Sequence, residues 1–96
     1  MNPMASSRAI EYAIFALFSE REAGGSICPS EVARMLAPQQ WRRLMHSVRE
    51  VASGLALEGR LVATQKGKEV DALRARGPIR LKVMESTLQQ NTKKGR

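Results

Sequence analysis

The amino-acid sequence predicts a winged helix-turn-helix, a core of three helices that carries a two-stranded β-hairpin. Apolar residues recur at the helical period up to Gly59, and after it they recur with a period of two. Glycines and prolines divide the helical part into three segments. The resulting order is helix, short helix, tight turn, long helix, strand, long loop and strand, which is typical of a winged helix-turn-helix.

Size and charge limit what this domain can be. The chain of 96 residues can bury one modest core but not two. Its formal net charge of +7 predicts a negatively charged partner, with nucleic acid before an anionic membrane surface. Its single cysteine, Cys28, cannot form an internal disulfide, which predicts a reducing, cytoplasmic compartment. No apolar run approaches the roughly 20 residues of a membrane span, so no membrane partner is predicted.

The first helix is predicted at residues 7–22. Ser7 is a suitable N-cap, and Gly24 and Gly25 favour the end of the helix. Its apolar positions at helical spacing are Ile10, Ala13, Ile14, Leu17 and Phe18. Residues 1–6 lack this periodicity and are predicted to fray.

A short second helix is predicted at residues 29–37. Pro29 suits its first turn because no N–H group is needed there, and Glu31 favours the positive end of the helix dipole. Pro38 disfavours helical backbone in the residue before it and can itself begin the next helix. Cys28 is interpreted as a small buried residue at the capping position, with a redox-sensing thiolate as the alternative.

The third helix is predicted to follow Pro38, to run to about Glu58 and to stop at Gly59. Its apolar stripe consists of Trp41, Leu44, Met45, Val48, Val51, Ala52, Leu55 and Ala56. Because Trp41 is in register with this stripe, it is interpreted as a core anchor rather than as a ring that stacks on a base.

Two strands are predicted, at residues 60–65 and 79–83. The second strand alternates Ile79, Leu81 and Val83 with Arg80 and Lys82, which predicts one apolar and one basic face. Residues 66–78 between the strands exceed the two to five residues of a typical hairpin loop, and they are predicted to form the wing. The domain is therefore predicted to span residues 7–84, followed by a polar, basic and mobile tail at residues 85–96.

Three blocks of the sequence carry a resemblance to a known family. The blocks are ICPSEVAR, the stretch from WRRLMHSVR through GRLVATQKGKEVD, and GPIRL. They are similar to the signature blocks of a small bacterial family, a domain of unknown function. The resemblance spans roughly residues 8–83. It implies a winged-helix fold, and it implies no activity and no catalytic residues.

The polar side of the third helix is unevenly charged. A rotation of about 100° per residue points Arg43, His46, Glu50 and Ser53 outward, with Arg42 and Arg49 on one flank. The basic members lie in the N-terminal half, which meets base edges in a helix-turn-helix. The planar arginine fork suits phosphate and guanine, whereas a glutamate in this set repels phosphate but could accept from cytosine N4.

The predicted function is non-enzymatic binding of duplex DNA, as in a transcriptional regulator, with the third helix in the major groove and the wing on the phosphate backbone. The predicted contact residues are Arg42, Arg43, His46, Arg49, Lys66, Lys68, Arg74, Arg76 and Arg80. No cofactor is predicted. The only histidine has no cysteine or second histidine at metal-ligand spacing, and the spacing nominates no nucleophile, base and orienting acid.

An alternative from another functional class is a protein-interaction module that docks an acidic protein on the same basic surface. Leu57, predicted on the polar side of the third helix, favours a protein contact or a homodimer. A homodimer would read two DNA half-sites about one helical turn apart. The sequence leaves open the oligomeric state, the target sequence, any effector and the choice between activation and repression.

Overall fold

A computed structural model describes residues 5–84, which form three helices and a four-stranded antiparallel sheet. The helices are α1 (Ser7–Ser19), α2 (Pro29–Leu36) and α3 (Trp41–Leu57). The strands are β1 (Ser26–Ile27), β2 (Leu61–Gln65), β3 (Lys68–Glu69) and β4 (Arg80–Val83). Their order in the sheet is β1-β4-β2-β3. No helix of this described part is both long and apolar enough to cross a membrane.

The start and end of α1 differ from the prediction. Its N-cap is Ser6 rather than Ser7, because the Ser6 hydroxyl accepts from the Ala9 N–H group at 3.1 Å. Ala5 is buried, while residues 1–4 and the predicted tail lie outside the described residues. The helix ends at Ser19 because the next two N–H groups bond to carbonyls three residues back, which closes a tighter turn.

The break between α2 and α3 lies close to its predicted place. Pro38 separates the two helices, but it does not begin α3. It belongs to a turn closed by the Gln40 N–H group, which donates to the Ala37 carbonyl at 3.0 Å. The third helix therefore begins at Trp41.

The core confirms the predicted apolar stripe of α3. The fully buried residues of this helix are Leu44, Val48, Ala52 and Leu55. They pack with Ile10 and Ile14 of α1, Val32 of α2, and Leu61 and Leu81 of the sheet. Trp41 differs from its predicted role as a core anchor, since it is only half-buried at the edge of this cluster.

The alternation predicted for the last strand is confirmed in β4, where Leu81 is buried and its neighbours Arg80 and Lys82 are exposed. Strand β4 pairs with β2 on one side and with β1 on the other. The sequence did not indicate β1 or β3, because a strand of two residues is too short to show a period of two.

The predicted wing is not one extended loop. Lys66 and Gly67 form a tight turn between β2 and β3, and their φ angles of 54° and 82° are those of a two-residue hairpin turn. The chain after β3, which we name the return segment (residues 70–79), folds back toward the helices. Ala72 in this segment is 1% exposed and belongs to the core. The length of the predicted loop thus reflects a hairpin plus a packed segment.

Candidate nucleic-acid interface

The N-terminal half of α3 exposes a cluster of basic side chains, Arg42, Arg43 and His46, which we name the α3 basic patch. Arg43 donates to the Gln40 side chain at 3.3 Å. Within residues 5–84, none of the three forms an ion pair with a carboxylate. The charges of Arg42 and Arg43 are therefore not neutralised by a carboxylate of the described domain.

The positive charges at the start of α3 are unfavourable for the stability of this helix. Its first turn contains no acidic residue, and the N-cap Gln40 forms no side-chain capping bond. Arg42 and Arg43 lie there instead, at the positive end of the helix dipole, where each cation is unfavourable by roughly 0.3–1 kcal/mol. Helix stability therefore does not explain this arrangement.

An aromatic ring connects this patch to α2. The guanidinium carbon of Arg42 lies 4.5 Å from the centroid of the Trp41 ring, and that of Arg34 lies 4.1 Å from the same centroid. These are cation–π distances. Sequence reasoning missed Arg34, since this contact joins residues of different helices that no local spacing relates.

Arg49 has a structural role that the sequence did not reveal. Its guanidinium donates to the carbonyl oxygens of Ala75 at 2.7 Å, Gly77 at 2.6 Å and Ala72 at 3.3 Å. These bonds hold the return segment on α3. Three of the five N–H donors of its side chain are therefore used inside the domain.

Other side chains complete the anchoring of the return segment. The Gln65 amide donates to the carbonyls of Arg76 and Pro78. The Asp71 carboxylate accepts from the Leu73 N–H group at 2.9 Å and from the Ser53 hydroxyl at 3.3 Å. The segment is thus fixed at several points although it forms no strand until β4.

The anchoring holds a segment with two further basic side chains against the middle of α3. Arg42 lies two helical turns before Arg49 on the same side of α3, and Arg49 holds the backbone around Arg74 and Arg76. Both of these return-segment arginines are exposed, and Arg74 also lies 3.7 Å from the carboxylate of Asp71. Helix α3 and the segment packed on it therefore both carry exposed arginines.

The remaining predicted contacts lie on the sheet. Lys66 and Lys68 are exposed at the tip of the hairpin formed by β2 and β3. Arg80 is exposed on the outer face of β4, where it donates to the hydroxyl of Ser26 at 2.9 Å and to its carbonyl at 3.1 Å. Arg80 thus ties β4 to β1 and is not part of the hairpin.

Acidic side chains collect along a groove between two helices. A groove of about 450 Å³ between α1 and α3 is lined in part by Glu11, Glu50 and Glu58. Arg60 pairs with Glu11 at 2.8 Å and lies 3.5 Å from Glu58. Glu50 lies about one helical turn after His46, so this acidic groove begins next to the α3 basic patch.

Comparison with family models settles the family. A model described as a protein of unknown function, DUF3253, matches residues 7–84. The chain belongs to the DUF3253 family. This match confirms the predicted resemblance to a family of unknown function, and it covers all the helices and strands described above. Among curated proteins, no relative of this DUF3253 chain is found.

The DUF3253 domain places the nine predicted contact residues in three settings. Seven are exposed on α3, the hairpin or the return segment: Arg42, Arg43, His46, Lys66, Lys68, Arg74 and Arg76. Arg49 holds the return segment, and Arg80 ties β4 to β1. Periodicity correctly indicated that Arg42, Arg43, His46 and Arg80 are exposed, but it could not show which residues bond within the domain.

The Asp71 carboxyl of this DUF3253 domain provides a test by pH. The Leu73 N–H bond lowers its pKa below the usual 3.8, assisted by Arg74 and Ser53. Because the folded-state pKa is depressed, this stabilisation is present above about 3.8 and is lost as pH falls through the folded pKa. We expect a carboxyl NMR titration to show a midpoint below 3.8 that moves upward in Ser53→Ala. A midpoint at or above the usual value would contradict the bonded carboxylate.

Proposed function

We propose that this domain is a winged helix-turn-helix that binds duplex DNA in the cytoplasm without catalysis, as a transcriptional regulator. The order of elements supports the fold: β1 lies between α1 and α2, and α3 leads into the hairpin strands. The sheet order also supports it, because β4 returns between β1 and β2 after the hairpin. Helices α2 and α3, joined by the turn at Pro38, correspond to the helix-turn-helix.

The α3 basic patch is the observation that carries this proposal. Arg42, Arg43 and His46 lie exposed in the half of α3 that reads bases in a helix-turn-helix, and no carboxylate within the described part pairs with them. Arginine donates two parallel bonds to guanine O6 and N7 or to a phosphate. The proposed mode places this patch in the major groove.

The hairpin and the return segment supply the second half of the proposed interface. Lys66 and Lys68 at the hairpin tip, with Arg74 and Arg76 beside α3, would neutralise backbone phosphates. Each neutralised phosphate releases counterions and adds about −0.9 to the slope of log affinity against log salt. Binding is therefore expected to weaken steeply as salt rises.

The test is a fluorescence-anisotropy titration of a labelled mixed-sequence duplex over a salt series. Relative to the native chain, Arg42→Ala/Arg43→Ala is expected to lose at least about tenfold in affinity, because it removes two charged contacts. The control Arg8→Ala/Lys82→Ala removes the same charge from exposed positions on α1 and on the outer face of β4. Both variants are first checked for folding by circular dichroism.

Two results would contradict the proposal. Absence of binding by the native chain at low salt would remove the DNA function. Equal losses in the two double variants would show that net charge, rather than the α3 basic patch, governs the affinity.

A second candidate function is supported by one exposed apolar side chain. Leu57 lies on the polar side of α3 and is 88% exposed. An exposed leucine on this face fits a protein-interaction module, either for an acidic protein or for a second copy of the chain. Light scattering of the native chain and of Leu57→Ser tests the homodimer: a mass of two chains that falls to one in the variant would support it.

A further inference from the structure

We propose that Arg34 and Arg42, both stacked on Trp41, form a phosphate-binding site that extends the DNA interface from α3 onto α2. The site rests on the proposed DNA function. It adds Arg34 to the proposed contact residues. In this site the Trp41 ring orients two guanidinium groups. We name this arrangement the stacked pair.

The geometry of the stacked pair suits a phosphate. Both guanidinium carbons lie within 4.5 Å of one ring centroid. The two carbons are therefore separated by no more than twice that distance. A stacked guanidinium uses its flat face for the ring, which leaves the N–H groups along its edge free to donate. Charged donors bond phosphate oxygens at about 2.7–2.9 Å, so one phosphate or two neighbouring phosphates could accept from both side chains.

The charge of the stacked pair is uncompensated. Arg34 and Arg42 are exposed, and neither pairs with a carboxylate within residues 5–84. Other arginines of the domain do: Arg21 pairs with Glu31, and Arg60 pairs with Glu11. The π face of Trp41 attracts each cation, but the two cations still repel one another. A bound phosphate would relieve this repulsion.

The position of the pair ties it to the proposed interface. Arg34 lies in the last turn of α2, and Arg42 lies in the first turn of α3 and belongs to the α3 basic patch. Trp41 is half-buried and packs against the core, so its ring has a fixed base. Phosphate contacts of this kind set the register of a reading helix on the duplex without reading the sequence.

The experiment uses the full chain and a labelled mixed-sequence duplex over a salt series. Because Trp41 is the single tryptophan, its intrinsic emission reports this site while anisotropy reports total binding. We expect the emission of the native chain to change in parallel with anisotropy. Arg34→Gln is expected to weaken binding by about three- to tenfold and to reduce the salt slope by about one. The charge-matched control Arg8→Gln, on α1, should change neither quantity.

The outcomes separate this site from the wider proposal. If the native chain binds the duplex but Arg34→Gln matches Arg8→Gln in affinity and slope, the site is overturned and the DNA function stands. If the native chain does not bind, both are overturned.

A further variant distinguishes loss of the site from loss of helix stability. This control is needed because a cation in the last turn also stabilises α2. Arg34→Lys keeps that charge and loses the planar fork. We expect it to fold as the native chain does and to show lower affinity with a smaller Trp41 emission change. A lysine variant equal to the native chain in both readouts would overturn the stacked pair.

Discussion

Replacing Leu44 with alanine is expected to lower the free energy of unfolding by about 3–4 kcal/mol. The Leu44 side chain is 1% exposed and lies in the core cluster where the three helices meet the sheet. Its truncation loses the transfer free energy of the buried carbons and leaves a cavity that the neighbours fill only partly. A domain of this size has a total stability of roughly 5–15 kcal/mol, so the loss is a large fraction of it.

The same helix offers a matched control. Leu57→Ala is the same chemical change in α3, but Leu57 is 88% exposed, so we expect a change within about 0.5 kcal/mol. Urea unfolding followed by circular dichroism gives both values under identical conditions. Equal losses in the two variants would contradict the observed burial of one face of α3.

Replacing Arg49 with methionine is expected to destabilise the domain by about 2–3 kcal/mol, since hydrogen bonds to charged groups contribute roughly 1.5–3 kcal/mol each and this side chain is partly exposed. The substitution removes the donors to three carbonyls and leaves the carbonyls of Ala75 and Gly77 without this partner. The substitution should also have a local effect. Relative to the native chain, hydrogen exchange should speed up more for the amides of the return segment than for those of α3.

The control for Arg49 is Arg43→Met, which makes the same change six residues earlier in α3. The Arg43 side chain is exposed and bonds only the Gln40 side chain among the described residues, so its replacement should lower stability by less than about 0.5 kcal/mol. Similar stability and similar exchange in the two variants would show that Arg49 does not hold the return segment. Arg49→Lys tests whether the planar guanidinium, rather than the positive charge, holds the return segment. The lysine keeps the charge, but one ammonium cannot reproduce the planar fork.

The elements that the sequence predicted well have local periodicity. The stripe of Leu44, Val48 and Leu55 is buried, and Arg43 and His46 on the other side are exposed. A helix fixes the angle between successive side chains, so the spacing of apolar residues is enough to divide its surface. The same reason accounts for the correct alternation in β4.

Elements that depend on a neighbour were missed. The two residues of β1 form a strand only because β4 offers backbone partners, with Ser26 opposite Lys82 and Ile27 opposite Leu81. The predicted long wing became a hairpin and a packed segment for the same reason. Ala72 enters the core of the helices and sheet, and no periodic pattern surrounds it in the sequence.

The sequence by itself determined three helices, the two longer strands, the basic character of the domain and the exposed side of α3. Only the tertiary structure decided the contacts of Arg34, Arg49 and Arg80. Arg49 bonds carbonyls 23 to 28 residues away, and Arg80 bonds a serine 54 residues away. The meeting of Arg34 and Arg42 at Trp41 likewise depends on how α2 packs beside α3. The period of apolar residues reports which face of a helix or strand is buried, because it depends only on residues close in the chain. The partners of these arginines depend on how distant elements pack together.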